Sequence, residues 1–320
     1  MNRSPFLLFA LDGSRDLAEN VANRLEIALA PHEERAFEDG EHKTRPLRDV
    51  RGHDVFVLHA LYGDDRQSSN DKFCRLLFFC GALRDAGAAR VTAVIPYLCY
   101  ARKDRRTKPN DPITTRYLAA MVEAVGITQV IAVEVHNVSA FENAFRCPTI
   151  HIDSAPLFAA HLAAVLRGRR VAAVSPDAGG SKRAELFRQT FEQLTKEDVS
   201  SAYVEKFRSE GVVTGKLLAG DVKGRVAVII DDLISSGGTL VRAAAACRMA
   251  GAIEVRTVAA HGLFVGGATE LFDSTVVDGI MVTSTVPPFR VSPPVAERRL
   301  IILDISEAIA RAISASRDGA

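Results

Sequence analysis

A mostly parallel α/β architecture in two domains is predicted from three features of the sequence. Short apolar, β-branched runs alternate with longer amphipathic stretches from end to end of the 320-residue chain. The strand candidates are continuous Val/Ile-rich segments without polar alternation, the pattern of strands covered by helices on both faces. At roughly 150 residues per domain, the length suggests two such units.

Strands are expected at residues 6–10, 54–60, 91–96, 130–135, 171–175, 226–230, 255–260 and 280–283. Amphipathic helices are expected at 71–86, 113–125, 155–166, 239–250 and 305–315. The pattern restarts near residue 150, where Pro148 precedes the polar His151, Asp153 and Ser154. Ser154 is placed to N-cap the next helix, with Pro156 in its first turn. The domains are therefore set at 1–150 and 151–320. Both halves end their strands in polar turns, which hints at an internal duplication.

Composition narrows the function. A chain 48% hydrophobic and 25% charged is an ordinary globular protein and not a disordered one. Forty Lys+Arg against 39 Asp+Glu leave a net charge of +1, which excludes a surface built wholly as a platform for nucleic acid or anionic lipid. The apolar run 6–11 is too short for a signal-peptide core and meets Asp12 at once. No apolar stretch approaches the roughly 18 residues of a membrane span. The five cysteines are scattered, without CxxC spacing, so buried free thiols in a reducing cytoplasm are expected, not disulfides or zinc ligands.

The strongest local motif follows the strand candidate at 226–230. Asp231 and Asp232 come directly after it, then Ser235, Ser236, Gly237, Gly238 and Thr239 open a helix. Amides and hydroxyls of such a loop can surround one phosphate at the positive end of the helix, and the glycines let the backbone approach closely. Two carboxylates at a strand tip can accept from sugar hydroxyls or hold a hydrated cation. The loop is not a Walker A motif, because no GxxxxGK[ST] occurs. A second turn of similar design carries Asp177, Ala178, Gly179 and Gly180 after the strand at 171–175, followed by Lys182 and Arg183. One acid, a glycine pair and a basic helix start suit Mg2+ with a polyphosphate; the plainer alternative is a structural turn.

Other segments are weaker alone. On a strand, Glu134 and His136 would share a face and both point at a ligand. The run Arg102, Lys103, Asp104, Arg105, Arg106, Lys108 is either a solvated loop or a clamp for a nucleotide. Nucleic-acid binding is not favoured there, since aromatic interleaving is absent. Residues 37–41 form a polar turn, and 195–214 are either an exposed hairpin or a flap bringing Lys206 and Arg208 over a reacting phosphate.

In this order the motifs resemble the ribose-phosphate diphosphokinase (PRPP synthetase) family over nearly the whole chain. They include Phe37, Asp39, Gly40 and Glu41; Arg51-Gly52-His53-Asp54; Asn70-Asp71; Tyr100-Ala101-Arg102-Lys103-Asp104-Arg105; the Asp177 turn; the 231–239 loop; and His261-Gly262-Leu263-Phe264. The 231–239 loop is shared with phosphoribosyltransferases in general, whereas the first-half elements single out the synthetase. The resemblance implies two type I phosphoribosyltransferase-like domains and Mg2+-dependent transfer of the ATP diphosphoryl group to O1 of ribose 5-phosphate. It places Arg102, Lys103 and Asp104 at the ATP site, with Phe37, Asp39 and Glu41 reaching adenine from a neighbouring subunit. It implies a homo-oligomer built on dimers, a hexamer being one such assembly. It puts His136 and Asp177 on the metal side, Asp177, Ala178, Gly179 and Gly180 on the diphosphate, and Asp231 and Asp232 on the ribose hydroxyls. Ser235, Ser236, Gly237, Gly238 and Thr239 would take the 5-phosphate, and Lys206 and Arg208 would be the catalytic flap cations. The chain departs from the family's commoner pattern at Ser235 (a third acid), Lys103 (glutamine), Glu134 (aspartate) and the turn 137–140. A phosphoribosyltransferase using PRPP and a base, and a non-catalytic regulatory relative, are the competing expectations.

Overall fold

The chain divides into two compact units, Met1–Ile152 with Ser306–Ala320, and Asp153–Ile305. The computed structural model describes residues 6–209 and 212–318, with the side chains of 205–209, 212–217 and 318 outside the description.

The first unit runs β1 (Phe6–Ala10), α1 (Arg15–Arg24), β2 (His32–Ala36), β3 (His42–Pro46), β4 (Asp54–Leu58), α2 (Ser69–Asp85), β5 (Arg90–Ile95), α3 (Thr114–Ala124), β6 (Gln129–Val133), α4 (Val138–Ala144) and β7 (Thr149–Ile152). Strands β1, β4, β5, β6 and β7 lie in that order in one sheet, parallel throughout. All of β4, Asp-Val-Phe-Val-Leu, is buried, as expected of a strand with helices on both faces. Helix α2 begins with a capping box, Ser68 Oγ accepting from Asp71 N while Ser68 N donates to Asp71 Oδ2. Strands β2 and β3 pair antiparallel as a separate hairpin.

The second unit runs α5 (Ala155–Val165), β8 (Val171–Ser175), α6 (Ser181–Thr195), β9 (Val199–Ser209), β10 (Val212–Gly220), β11 (Val226–Ile234), α7 (Gly238–Met249), β12 (Glu254–Gly262), α8 (Thr269–Phe272), β13 (Gly279–Thr283), α9 (Pro293–Arg299) and β14 (Leu300–Leu303). Its sheet has the order β10-β9-β8-β11-β12-β13-β14. Among the described residues, only the β9–β10 pair of this sheet is antiparallel. Alternate residues of β11 serve two cores. Val226, Val228 and Ile230 meet Phe158, Leu162, Phe187 and Phe191, while Ala227 and Ile229 meet Leu240, Ala244 and Leu271. The segment 195–214 is thus largely ribbon, and Ser154 sits at the N-cap of α5 without a side-chain capping bond.

The last helix, α10 (Ser306–Asp318), groups with the first unit, although the sequence order had placed it with the C-terminal half. It packs against α1, β6 and β7, buries Ile309, Ala310 and Ile313, and ion-pairs through Glu307 with Arg24 at 3.5 Å. An amphipathic stripe shows that a helix buries a face, but not which sheet receives it. The cysteines are all free. Cys80, Cys99 and Cys247 are buried, and burial pushes the Cys247 thiol up to about 12; Cys74 is exposed, contrary to expectation. Among the described residues, no helix is long and apolar enough to cross a membrane.

Candidate functional site

The acid pair lies within β11, which continues to Ile234 instead of ending at 230, because Asp231, Leu233 and Ile234 keep pairing with β12. Asp231 is half-buried and Asp232 buried. Asp232 N donates to Asp231 Oδ1 at 2.9 Å. Burial first, and the Asp232 carboxylate second, push Asp231 well above the usual carboxylate range, with the charge of Arg183 pulling the other way. Two acids held this way favour the binding of a proton, a cation or hydroxyl donors.

The loop after β11 is built without a charged side chain from Ser235 to Thr239. Ser235 O accepts from Val265 N at 3.1 Å, which fixes one side of the loop. Gly237 precedes α7 at φ +83°, and a Cβ there would stand 2.6 Å from Leu271 Cβ. Both strain and collision demand glycine. Gly237→Ala is expected to lower unfolding free energy by about 2–4 kcal/mol, read from the urea midpoint at unchanged m-value; an unshifted midpoint overturns this account of the loop.

In the Asp177 turn the acid and the glycine amides engage each other. Asp177 Oδ1 itself accepts from Gly179 N (3.0 Å) and Gly180 N (3.2 Å), capping the short 3₁₀ turn Ala178–Gly180. The amides expected to face phosphate oxygens are therefore directed at the protein's own carboxylate. Ser175 Oγ stands 2.8 Å from where a Cβ on Gly180 would lie, so the turn is closely packed. Lys206 and Arg208 lie on β9, in register with Lys216 and Val213 of β10. Their side chains lie outside the described residues.

In the first unit the basic run forms the loop between β5 and α3. Among the described residues Arg102, Lys103, Arg105, Arg106 and Lys108 make no ion pair. Asp104 Oδ2 instead accepts from Asn137 Nδ2 at 2.7 Å. Lys103 O accepts from Thr115 Oγ1 at 3.2 Å, and Asp111 Oδ2 from Thr107 N, Thr107 Oγ1 and Lys108 N. The loop is thus an ordered scaffold carrying unneutralised cations, which suits an anion. Residues 37–41 turn the β2–β3 hairpin: Phe37 N donates to Glu41 O (2.8 Å) and Glu41 N to Asp39 Oδ1 (3.1 Å). Phe37 is 40% exposed, with the Arg35 guanidinium 5.1 Å from its ring centroid.

Glu134 and His136 do not share a strand face. β6 ends at Val133 and Glu134 turns to φ +42°, so period-2 reasoning stops one residue earlier. Glu134 is buried and His136 exposed. Glu134 instead comes within 4.8 Å of His151, whose Nε2 accepts from Val135 N at 3.1 Å. For a hard cation such as Mg2+, the carboxylate of Asp177 is a fitting donor and the His136 imidazole a poorer one. Residues outside the expected set also border the second-unit site. Arg183 acts electrostatically on Asp231, and buried His261 meets Thr285 Oγ1 at 2.8 Å through Nδ1. Arg183 was visible only as part of a basic helix start, and His261 only through the family motif.

Two α/β units with phosphoribosyltransferase-like sheets, one bearing an acid pair within β11 and a glycine-hydroxyl loop after that strand, define the class. A model of the N-terminal domain of ribose phosphate pyrophosphokinase matches residues 6–126, and one of the phosphoribosyl synthetase-associated domain matches 204–319. The chain belongs to the ribose-phosphate pyrophosphokinase family. It is 32% identical to the ribose-phosphate pyrophosphokinase of Hyphomonas neptunium, covering 96% of this chain and 95% of the relative. It is 35% identical to that of Vibrio parahaemolyticus, covering 96% and 94%. The crystal structure of phosphoribosylpyrophosphate synthetase from Mycobacterium smegmatis matches with a TM-score of 0.87 at 27% identity, covering 99% of this chain and 100% of that one.

Proposed function

We propose that this chain is a ribose-phosphate diphosphokinase, transferring the diphosphoryl group of ATP to O1 of ribose 5-phosphate to give PRPP and AMP. The observation that carries this reading is the acid pair of β11, half-buried Asp231 beside buried Asp232, leading into a neutral loop of hydroxyls and glycines at the start of α7, in a chain of this family. Asp231 and Asp232 accept from the ribose hydroxyls, and the amides and hydroxyls of Ser235, Ser236, Gly237, Gly238 and Thr239 hold the 5-phosphate. The unneutralised cations Arg102 and Lys103, with Asp104, receive ATP, while Phe37, Asp39 and Glu41 hold adenine from a neighbouring copy. That arrangement makes the enzyme a homo-oligomer built on dimers.

The reaction forms a bond from O1 to the β-phosphorus and breaks the bond from that phosphorus to the oxygen leaving with AMP. Such transfers need positioning and charge neutralisation more than covalent help. Asp177 is the residue that would hold Mg2+, which when bound would neutralise phosphate oxygens; the imidazole of His136 is a poorer donor for it. The glycine amides of the Asp177 turn meet the diphosphate once its carboxylate gives them up, and Lys206 and Arg208 close over it. Closing also excludes water, which limits idle ATP hydrolysis. Five free thiols and the near-neutral charge suit a cytoplasmic enzyme acting on small molecules.

The test is to incubate the purified chain with ATP, Mg2+ and ribose 5-phosphate and to follow AMP and PRPP together. Formation of both, dependent on ribose 5-phosphate, is expected. Consumption of PRPP by a base without this reaction, or no turnover at all, overturns the reading.

A further inference from the structure

The geometry points to Arg242 as a further binding residue, one that sets affinity for the sugar phosphate, given the proposed place of the 5-phosphate at the 235–239 loop. That loop offers hydroxyls and amides but no cation, although a phosphate monoester brings nearly two negative charges. Arg242 stands three residues beyond Thr239 on α7, so the two lie on one helix face, and helical side chains lean toward the N-terminus. The guanidinium accordingly folds back: Nη2 donates to Thr239 Oγ1 at 3.2 Å. Nη1 stands 3.1 Å from the point a Cβ on Gly238 would occupy.

Two consequences follow. The Thr239 hydroxyl accepts from Arg242, so its own hydrogen is left to donate to a ligand oxygen. And a cation has been brought to the positive end of a helix, where it opposes the dipole unless an anion joins it. No acidic residue occupies the first turn of α7. Glu270 Oε2, from α8, lies 3.2 Å from the same point beside Gly238, yet Arg242 makes no ion pair with it or with any other described acid. Arg242 is an exposed residue whose guanidinium is held on Thr239. A dianionic phosphate at the loop would satisfy both the dipole and the guanidinium, and would do so for ribose 5-phosphate but not for unphosphorylated ribose.

Steady-state kinetics and calorimetric binding of ribose 5-phosphate to the full chain test this. Arg242→Met is expected to raise KM for ribose 5-phosphate about tenfold, with KM for ATP and kcat changed by less than about threefold. Arg242→Lys, keeping charge without the fork, is expected to recover part of the loss. Calorimetry without nucleotide should show the same weakening. An unchanged ribose 5-phosphate affinity in Arg242→Met overturns the inference. So does a rise in both KM values together, or equal loss in Arg242→Lys, since either marks a structural effect. A wild-type chain that binds ribose 5-phosphate through Arg242 but makes no AMP leaves this inference standing and removes the catalytic reading instead.

Discussion

Lys206→Ala is expected to lower kcat by about a hundred- to a thousandfold while KM for ribose 5-phosphate moves by less than about threefold. The size follows from where charge develops: a cation on the transferring phosphoryl group is engaged in the transition state more than in the bound substrate. The position supports such a role, since Lys206 lies on the one antiparallel ribbon of a sheet that is otherwise parallel. A ribbon that ends a sheet lacks further strands to hold it and is suited to closing over a ligand. Stopped-flow measurement of a single turnover distinguishes loss of chemistry from slow release. A mutant whose chemical step runs at the wild-type rate removes Lys206 from catalysis.

Asp231→Asn is expected to abolish detectable PRPP formation and at the same time to stabilise the free protein at pH 8, by about 1–2 kcal/mol. The second half of that result has its sign fixed by proton linkage. Burial and the neighbouring Asp232 raise the Asp231 pKa in the folded chain, so the native state keeps a proton that the unfolded chain has already released. Stability therefore falls as pH rises from the ordinary carboxylate range toward the raised value, and is constant beyond it. The asparagine variant escapes this cost. Unfolding curves of both proteins should coincide near pH 3 and separate as pH rises. A variant no more stable than wild type at pH 8 would show that the acid pair is not a strained one. A tradeoff of this kind is expected where two carboxylates are held together for a ligand's sake.

Much of this arrangement was legible in the sequence because burial on both faces leaves a continuous apolar signature. Val171–Ser175 and β1 coincide with their expected bounds. β11 did not, since Asp231 and Asp232 interrupt the apolar run while the backbone continues to pair with β12. Charges end a hydrophobic pattern without ending a hydrogen-bond ladder. The β2–β3 hairpin, His-Glu-Glu-Arg-Ala against His-Lys-Thr-Arg-Pro, had no apolar period to find. Glu134 departs from the strand pattern for a different reason: a positive φ in a non-glycine residue is a tertiary outcome that local propensity does not announce. Arg242 lay beyond the recognised motif, and only its fold-back onto Thr239 relates it to the loop.

The capped turn at Asp177 has a bearing on selectivity. With its own carboxylate resting on the Gly179 and Gly180 amides, the turn carries a tethered competitor for whatever anion arrives. Entry is then an exchange and not a simple addition. The incumbent, being intramolecular, competes as though present at high concentration. Acetate, chloride and bicarbonate would offer those amides nothing better than what they already hold. On the proposed reading, a polyphosphate, with more charge and more oxygens to distribute, would prevail, and the turn would then filter the anions of its surroundings before any chemistry begins.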